Sequence, residues 1–373
     1  MTVINIGTCL FYLTYLICEV PCALLVKKFG FWLVPVSVFI FGTVTMATAF
    51  IHNRAGFYVT RIMLGLAESV AMPGISYLLT RYYRRHELTS RVGCFMVVAA
   101  GSAGAFGGLL AAGLLRLGKI GSRSSWENIF LVEGIITMGF GLLSFPFFPT
   151  DPERTKMLNE EERQLAIARM YADQPEIRDT KESMNRKLIK RGAFNVNTVA
   201  CTWLYVVSEM YAILLFDVNT KTRLTTARCK DWVSFYSIWL ATDPSSVKAR
   251  YAACFLNMTG GFIGGPVALG WAASNASPDT VRAMVGAIVT GFGGIGSIAG
   301  VWAYVQTDAI TGYHSGNAFN LSMSASLIVA CLGLFSYQWY ENKRRDRGYR
   351  DYRLEKGGVD QLGGLHPSFR YIY

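Results

Sequence analysis

Nine apolar stretches divide the chain, each 18 to 24 residues long and nearly free of charge. A bilayer core of about 30 Å is crossed by about 20 apolar residues in a helix, so each stretch is long enough to span a membrane. Their apolar residues occur on all sides, whereas a helix of a soluble domain keeps one polar face. The stretches are 3–26, 32–51, 57–80, 92–115, 128–148, 199–216, 251–273, 283–306 and 318–340.

The ten-residue alternation typical of a membrane β-barrel is absent from the sequence. Lipid requires every backbone hydrogen bond to be made inside the protein, and a helix satisfies this within one segment. The sequence therefore predicts an all-α membrane protein, a helical bundle with about nine transmembrane helices. The segment 217–248 does not fit this pattern, because a polar, basic run precedes an apolar run too short to span.

Basic residues in the short connections predict the orientation. Six lie on one side of the membrane and four on the other, and the side with six also holds the long connection and the C-terminal segment. By the positive-inside rule that side is cytoplasmic, which places the N-terminus outside. The predicted organisation is an N-terminal bundle of five spans (1–150), a cytoplasmic linker (151–198), a C-terminal bundle of about four spans (199–340) and a basic cytoplasmic tail (341–373).

Two further expectations concern the cytoplasmic parts. In the linker, Asn159 followed by three glutamates predicts the N-cap and first turn of a short helix. The tail holds eight basic and five acidic residues. We expect it to be a flexible segment at the anionic lipid headgroups.

Composition mainly excludes functions. Only 16% of the residues are charged, compared with about 25% in soluble domains. The net charge of +11 lies mainly in the connections and the tail, so it indicates membrane topology rather than nucleic-acid binding. The sequence holds no nucleophile–base pair, HExxH motif or Cys/His cluster, so we expect neither an enzyme nor a metal or cofactor site.

Two of the stretches are rich in glycine, GSAGAFGG at 101–108 and GFGGIGSIAG at 291–300. In lipid, glycine lets helix backbones approach closely. Each stretch is next to last before a basic cytoplasmic segment, and such weak internal symmetry is typical of transporters. Two unrelated packing helices would give the same pattern.

Five acids or bases fall inside the stretches, and a charge near the bilayer centre costs about 2.5–3.5 kcal/mol even on lenient scales. Glu68 lies in the middle of its stretch, and Arg61 lies on the same helical face about 10.5 Å away along the axis. Gly65 lies between them, where we expect it to leave room beside the backbone. A cation near the outer mouth and a protonatable acid at the midplane suit the binding of a carboxylate coupled to a proton. The five residues are Glu19, Arg61, Glu68, Glu133 and Glu209.

Structural roles are the alternative for these charges. Arg61 and Glu68 would also be explained as inter-helix ties that neutralise each other or other partners. Glu19 lies nearer the cytoplasmic end and is consistent with a gating contact or a substrate contact. We expect Glu133 to be an interfacial tie, and Glu209 lies in the weakest stretch and receives little weight.

The segment RIMLGLAESVAMPGISYLLTRYYRRHE (61–87) resembles the fourth transmembrane helix of the major facilitator superfamily. More narrowly it resembles the anion:cation symporter branch, which includes fungal allantoate and nicotinate permease-like proteins. Further segments are similar to the same branch: LFYLTYLICEVPCALLVKKFG (10–30), WENIFLVEG (126–134), FPTDPERTKMLNEEER (148–163), NMTGGFIGGPVALGWAASN (257–275) and GYHSGNAFNL (312–321).

The resemblance implies a function and roles for residues. Arg61 and Gly65 would contact the carboxylate of a small organic anion, and Glu68 would be the proton-linked acid. Lys27 and Lys28 occupy the place of the family's cytoplasmic signature loop, although the usual acidic residue is absent there. Residues with an expected gating or cavity role are Glu19, Lys27, Lys28 and Asn320. The resemblance further implies proton-coupled symport, favoured by the absence of a proline from 101–108, and a monomer in the plasma membrane.

The resemblance also implies departures from the family. Nine spans stand where twelve are usual, because the chain is expected to begin at the second helix and 206–248 replaces the end of the seventh through the ninth. A non-transporting membrane remnant of such a transporter is therefore the second interpretation.

Overall fold

The structure is a computed structural model that describes residues 2–116, 125–155, 157–173, 186–212, 241, 264–303, 313–356 and 362–372. In these ranges all regular elements are helices, which confirms the predicted all-α class. The helices are α1 (Thr2–Phe29), α2 (Leu33–Thr48), α3 (Arg54–Glu68), α4 (Ala71–Tyr82), α5 (Arg85–Arg116), α6 (Ser125–Ser144), α7 (Glu160–Asp173), α8 (Arg186–Ala193), α9 (Val196–Ala212), α10 (Asp279–Ala303) and α11 (His314–Asp346). Residues 264–274 are also helical, and two 3-10 helices follow α11 at Asp351–Lys356 and Gly363–Leu365.

Five helical segments of the described chain are long and apolar enough to cross a membrane. They are Val3–Phe29, Arg54–Tyr82, Trp126–Ser144, Asp279–Ala303 and His314–Asp346, and Leu33–Thr48 and Phe106–Arg116 are shorter apolar helices. Parts of the predicted stretches 199–216 and 251–273 lie outside the described residues. The atypical segment 217–248 also lies outside them, except for residue 241.

The predicted span 57–80 is interrupted after Glu68, where α3 ends, and α4 begins at Ala71 after two intervening residues. Pro73 explains the break, because it has no N–H to donate to the carbonyl of Ser69 four residues earlier. The Ser69 hydroxyl instead donates to the carbonyl of Leu66 at 2.8 Å. Glu68 is therefore the last residue of α3, at a discontinuity within one membrane-crossing segment.

Helix α1 packs against both α3 and α10, while α2 packs on α6 and α9 packs on α10. Glycine permits several of these contacts. A Cβ at Gly42 of α2 would lie 2.5 Å from the backbone nitrogen of Met138 in α6, and one at Gly300 would lie 2.8 Å from the carbonyl oxygen of Met210 in α9. The backbones of these neighbours are therefore in near contact.

The two glycine-rich segments behave differently. On α10, a Cβ at Gly296 would overlap the carbonyl of Val206, so the expected close approach of backbones occurs there. On α5, a Cβ at Gly107 or Gly108 would meet no described atom within 4 Å. Within the described chain, the predicted symmetry between the two segments therefore does not extend to their packing.

The linker contains the expected short helix α7, which begins after Asn159. The backbone N–H of Asn159 donates to Glu162 at 2.9 Å, and Arg163 pairs with Glu160 at 2.7 Å. This contact between the N-cap residue and the third residue of the helix is one half of a capping box, and it explains the start of the helix.

The expectation of a flexible tail is wrong for its described part. Helix α11 continues to Asp346, and residues 362–372 then pack back onto α11 and 264–275 through hydrogen bonds. Tyr371 and His366 are buried in this contact. The cause is a set of side chains that bind the tail's backbone, which a count of its charges does not reveal.

The contact between α9 and α10 is testable through Gly296. Gly296→Ala should lower the stability by about 1–3 kcal/mol, because the added methyl group must push apart two backbones. The thermal unfolding midpoint of the detergent-purified protein measures this. Gly286→Ala on the same helix is the control: its Cβ meets no described atom within 4 Å, so it should be neutral or stabilising. Equal midpoints for the two variants would contradict the packing account.

Candidate functional site

Arg61 and Glu68 lie on α3, one near its middle and one at its end. The helix begins at an Asn53 N-cap whose side chain accepts the N–H of Gly56 at 2.7 Å. Arg61 is half-buried, and its guanidinium lies over the ring of Phe57 at 4.8 Å. Neither Arg61 nor Glu68 forms an ion pair with a described residue, so the alternative in which the two neutralise each other does not occur.

Gly65 does not leave the expected room beside the backbone. A Cβ there would lie 2.5 Å from the carbonyl oxygen of Phe11 and 3.2 Å from the nitrogen of Tyr15, both in α1. The space that we expected to be free for a ligand is therefore filled by the α1 backbone. The physical reason is that a glycine on an apolar helix also permits a neighbouring helix to approach.

Glu19 of α1 is fully buried and joins α1 to α10. Its Oε1 accepts hydrogen bonds from the hydroxyl of Thr290 in α10 and, at 3.5 Å, from the hydroxyl of Tyr15. Its Oε2 has no hydrogen-bond partner among the described residues and faces Gly291, where a Cβ would be 2.6 Å away. A glycine at this place in α10 therefore makes room for the carboxyl group.

Glu209 of α9, to which the sequence analysis assigned little weight, lies in the same region. A Cβ at Gly293 of α10 would lie 3.2 Å from Glu209 Cγ and 2.5 Å from the Tyr205 ring. Glu68 lies within electrostatic range of Glu19 and Tyr15, as does Glu209. The structure thus brings Glu68 of α3 and Glu209 of α9 within electrostatic range of Glu19 on α1.

A repeated pattern in the sequence would have indicated that Glu19 and Glu209 each lie beside a tyrosine. Tyr15 and Glu19 in TYLICE have the same spacing as Tyr205 and Glu209 in LYVVSE. Residues four apart lie on one helical face, so each tyrosine stands beside its glutamate. We name the group formed by Glu19, Glu68, Glu209 and the tyrosines Tyr12, Tyr15 and Tyr205 the central acidic cluster.

Lys27 lies in the last turn of α1 and is buried against α10. Its Nζ contacts Asp279 Oδ2 at 3.0 Å and Thr280 Oγ1 at 2.6 Å. The hydroxyl of Tyr77 donates to the same Asp279 oxygen at 2.8 Å, and Arg81 lies 3.9 Å from the other oxygen. Because Asp279 is the first residue of α10, the helix dipole also favours its negative charge.

The remaining candidates lie elsewhere. Lys28, beside Lys27, is exposed and lies over the Phe29 ring at 5.3 Å. Asn320 is fully buried on α11, which packs on α9. Glu133 is half-buried on α6, a helix that packs on α2 and α5. Among the residues that the structure describes, no group of three His, Cys, Asp or Glu side chains is arranged to hold a metal ion.

The apolar membrane-crossing helices and the buried polar groups between them define the class: this is an integral, multi-pass membrane protein. The chain belongs to the major facilitator superfamily, whose family model matches residues 1–228.

Similar proteins agree with this class. The chain is 27% identical to the MFS transporter prlL of a fungal species (strain NRRL 50135), over 95% of this chain and 78% of the relative. It is 26% identical to the MFS-type transporter efuF of Hormonema carpetanum, over 98% of this chain and 82% of the relative. The fold resembles that of the proton:xylose symporter XylE, with a TM-score of 0.62, 14% identity and coverage of 89% of this chain and 86% of that chain.

The contact between Glu19 and Thr290 can be tested with a nearly isosteric substitution. Thr290→Val removes the hydroxyl that binds the buried carboxyl group, and we expect a loss of about 1–3 kcal/mol. Thr48→Val is the control, because the buried Thr48 hydroxyl donates to the Val44 carbonyl of its own helix at 3.0 Å. Thermal unfolding in detergent compares the two, and similar losses would show that the Glu19 contact adds no stability.

Proposed function

We propose that this chain is a secondary active transporter that carries a small organic anion together with protons by alternating access. The observation that carries the proposal is the placement of Arg61 on the same helix as Glu68, a member of the central acidic cluster, with neither residue in a described ion pair. The names of the relatives support transport, and the sequence motifs support the anion:cation symporter branch. The proposed location is the plasma membrane and the proposed form is a monomer.

Arg61 is the proposed contact for the anion. A guanidinium offers paired N–H donors that match the two oxygens of a carboxylate. Its described contact is the Phe57 ring at 4.8 Å, which orients the group while leaving its donors available. Because burial in an apolar bundle makes an unpaired charge costly, an incoming anion gains a strong interaction there.

Glu68 is the proposed proton-linked acid. It ends α3 close to Glu19 and Tyr15, where a negative charge is opposed by other acids. Protonation removes this repulsion and lets the helices around the site repack. Binding of a proton and binding of the anion therefore favour each other, which is the requirement for symport.

Lys27 and Glu19 are the proposed gate. Through Asp279 and Thr290 they connect α1, which precedes the linker, to α10, which follows it. Alternating access requires these two parts of the bundle to separate at one end while they close at the other. Lys28 and Asn320 stay candidates for this gate or the cavity, and Gly65 is assigned to helix packing. The remnant interpretation gains no support from the described residues, in which the helices before and after the linker pack together.

The role of Arg61 predicts a loss of uptake on its removal. In a permease-deficient yeast strain, Arg61→Ala should reduce the uptake of labelled nicotinate, allantoate or a similar acid at least tenfold, since a charge-assisted pair contributes about 1.5–3 kcal/mol. Arg54→Ala is the matched control, because Arg54 lies on the same helix but is exposed at its start. Uptake that is indifferent to Arg61→Ala would remove this residue from the substrate site.

The role of Glu68 predicts a separation of two activities. Glu68→Gln should abolish accumulation driven by a proton gradient in proteoliposomes while it retains exchange of labelled for unlabelled substrate, because the amide resembles the protonated acid. Glu133→Gln is the control, since that acid lies on α6 outside the central acidic cluster. Undiminished accumulation by Glu68→Gln would assign the proton to another group.

A further inference from the structure

The C-terminal segment 362–372 is fixed to the end of the bundle that carries the gate. The Ile372 N–H donates to Asn275 Oδ1 at 2.8 Å, and the Ile372 carbonyl accepts from Asn275 Nδ2 at 2.8 Å and Trp271 Nε1 at 2.9 Å. Tyr371 and Asn342 of α11 form the same two-way pair, with both bonds at 2.9 Å. Each asparagine thus binds the backbone of the segment as a neighbouring strand would.

A buried arginine strengthens this attachment. Arg345 of α11 is 3% exposed, and it donates to the carbonyls of Phe369 at 2.6 Å and Gly364 at 3.1 Å. Burying a guanidinium is costly unless it has hydrogen-bond acceptors or an ion-pair partner. The carboxylate of Glu341 lies 3.5 Å from Arg345 Nε, which is a long contact for an ion pair. The carbonyls of the segment therefore supply acceptors that a buried Arg345 requires.

Arg85 connects the same segment to the other part of the bundle. It is the first residue of α5, and its Nη2 donates to the carbonyl of Arg370 at 3.1 Å. Its guanidinium stacks on Phe369 at 4.3 Å, and its Nε donates to the carbonyl of Ser274 at 2.6 Å. Arg85, which precedes the linker, thus binds the C-terminal segment and also residues 264–275, on which that segment packs.

The segment also covers the turn that leads into the gate. The N–H of Gly364 donates to the carbonyl of Ser277 at 3.1 Å. A Cβ at Gly363 would lie 2.5 Å from Pro278 Cδ, and the φ of +45° at Gly363 is one that glycine adopts at little cost. Pro278 directly precedes Asp279, the partner of Lys27.

We propose that residues 362–372 act as a clamp that holds the two parts of the bundle together at the Lys27–Asp279 end. The clamp binds α11 and 264–275 on one side and Arg85 on the other. Opening of that end breaks the contacts with Arg85 and exposes the turn before Asp279. This proposal rests on the proposed alternating access, and it adds a C-terminal element that sets how readily the gate opens.

Hydrogen–deuterium exchange of the full-length protein in nanodiscs tests the clamp. The informative region is 24–31, because it pairs with Asp279 through Lys27 and shares no described hydrogen bond with 362–372. Phe369→Leu removes the stack on Arg85, and we expect exchange in 24–31 to become about tenfold faster. A chain ending at Lys356 should give at least the same acceleration. Asp346→Asn is the control, because the Arg370–Asp346 pair is exposed and contributes little.

Lys27→Met, measured in parallel, separates the two proposals. Faster exchange in 24–31 for Lys27→Met, Phe369→Leu and the shortened chain supports both the gate and the clamp. Faster exchange for Lys27→Met alone, with changes in the other two confined to 271–279 and 342–346, overturns the clamp and keeps the gate. Unchanged exchange in 24–31 for Lys27→Met overturns the gate itself.

Discussion

The contact of α1 with both α3 and α10 is the constraint on which the rest of the structure depends. Toward α3 the contact requires Gly65, which faces the Phe11 carbonyl, and toward α10 it requires Gly291 and Gly294, which face Glu19 and Tyr12. Larger residues at these places would separate the helices. With them in close contact, an acid on α1 lies within reach of α10 and of the end of α3.

This packing explains how ionisable groups are tolerated inside an apolar bundle. Glu19 accepts a hydrogen bond from the hydroxyl of Thr290, and Lys27 forms an ion pair with Asp279. Both polar partners therefore lie on α10. Such contacts are costly to leave unmade in a medium without water. Charged and polar groups therefore link the helix before the linker to the helix after it at two levels along α1. If α1 moves against α10, Glu19 must lose Thr290 and Lys27 must lose Asp279, and each must find a new partner.

The sequence predicted the helices well because membrane spanning depends on local apolar length. The linker helix was likewise predictable, since Asn159 and Glu162 act within one turn. The contacts of the site depend instead on which helices are neighbours. Asp279 lies between two apolar stretches and has no local pattern that marks it as the partner of Lys27. The sequence showed that Gly65 leaves space beside the α3 backbone. It did not show whether a ligand or a neighbouring helix fills that space.

The interruption between α3 and α4 has a mechanical consequence. Before the interruption, α3 carries Arg61 and Glu68. After it, α4 carries Tyr77, which donates a hydrogen bond to Asp279. A continuous helix would transmit any tilt of one part rigidly to the other. With its hydrogen-bond ladder broken at Pro73, this span has a joint, so α3 with Arg61 and Glu68 can change its angle before the contact of Tyr77 with Asp279 breaks.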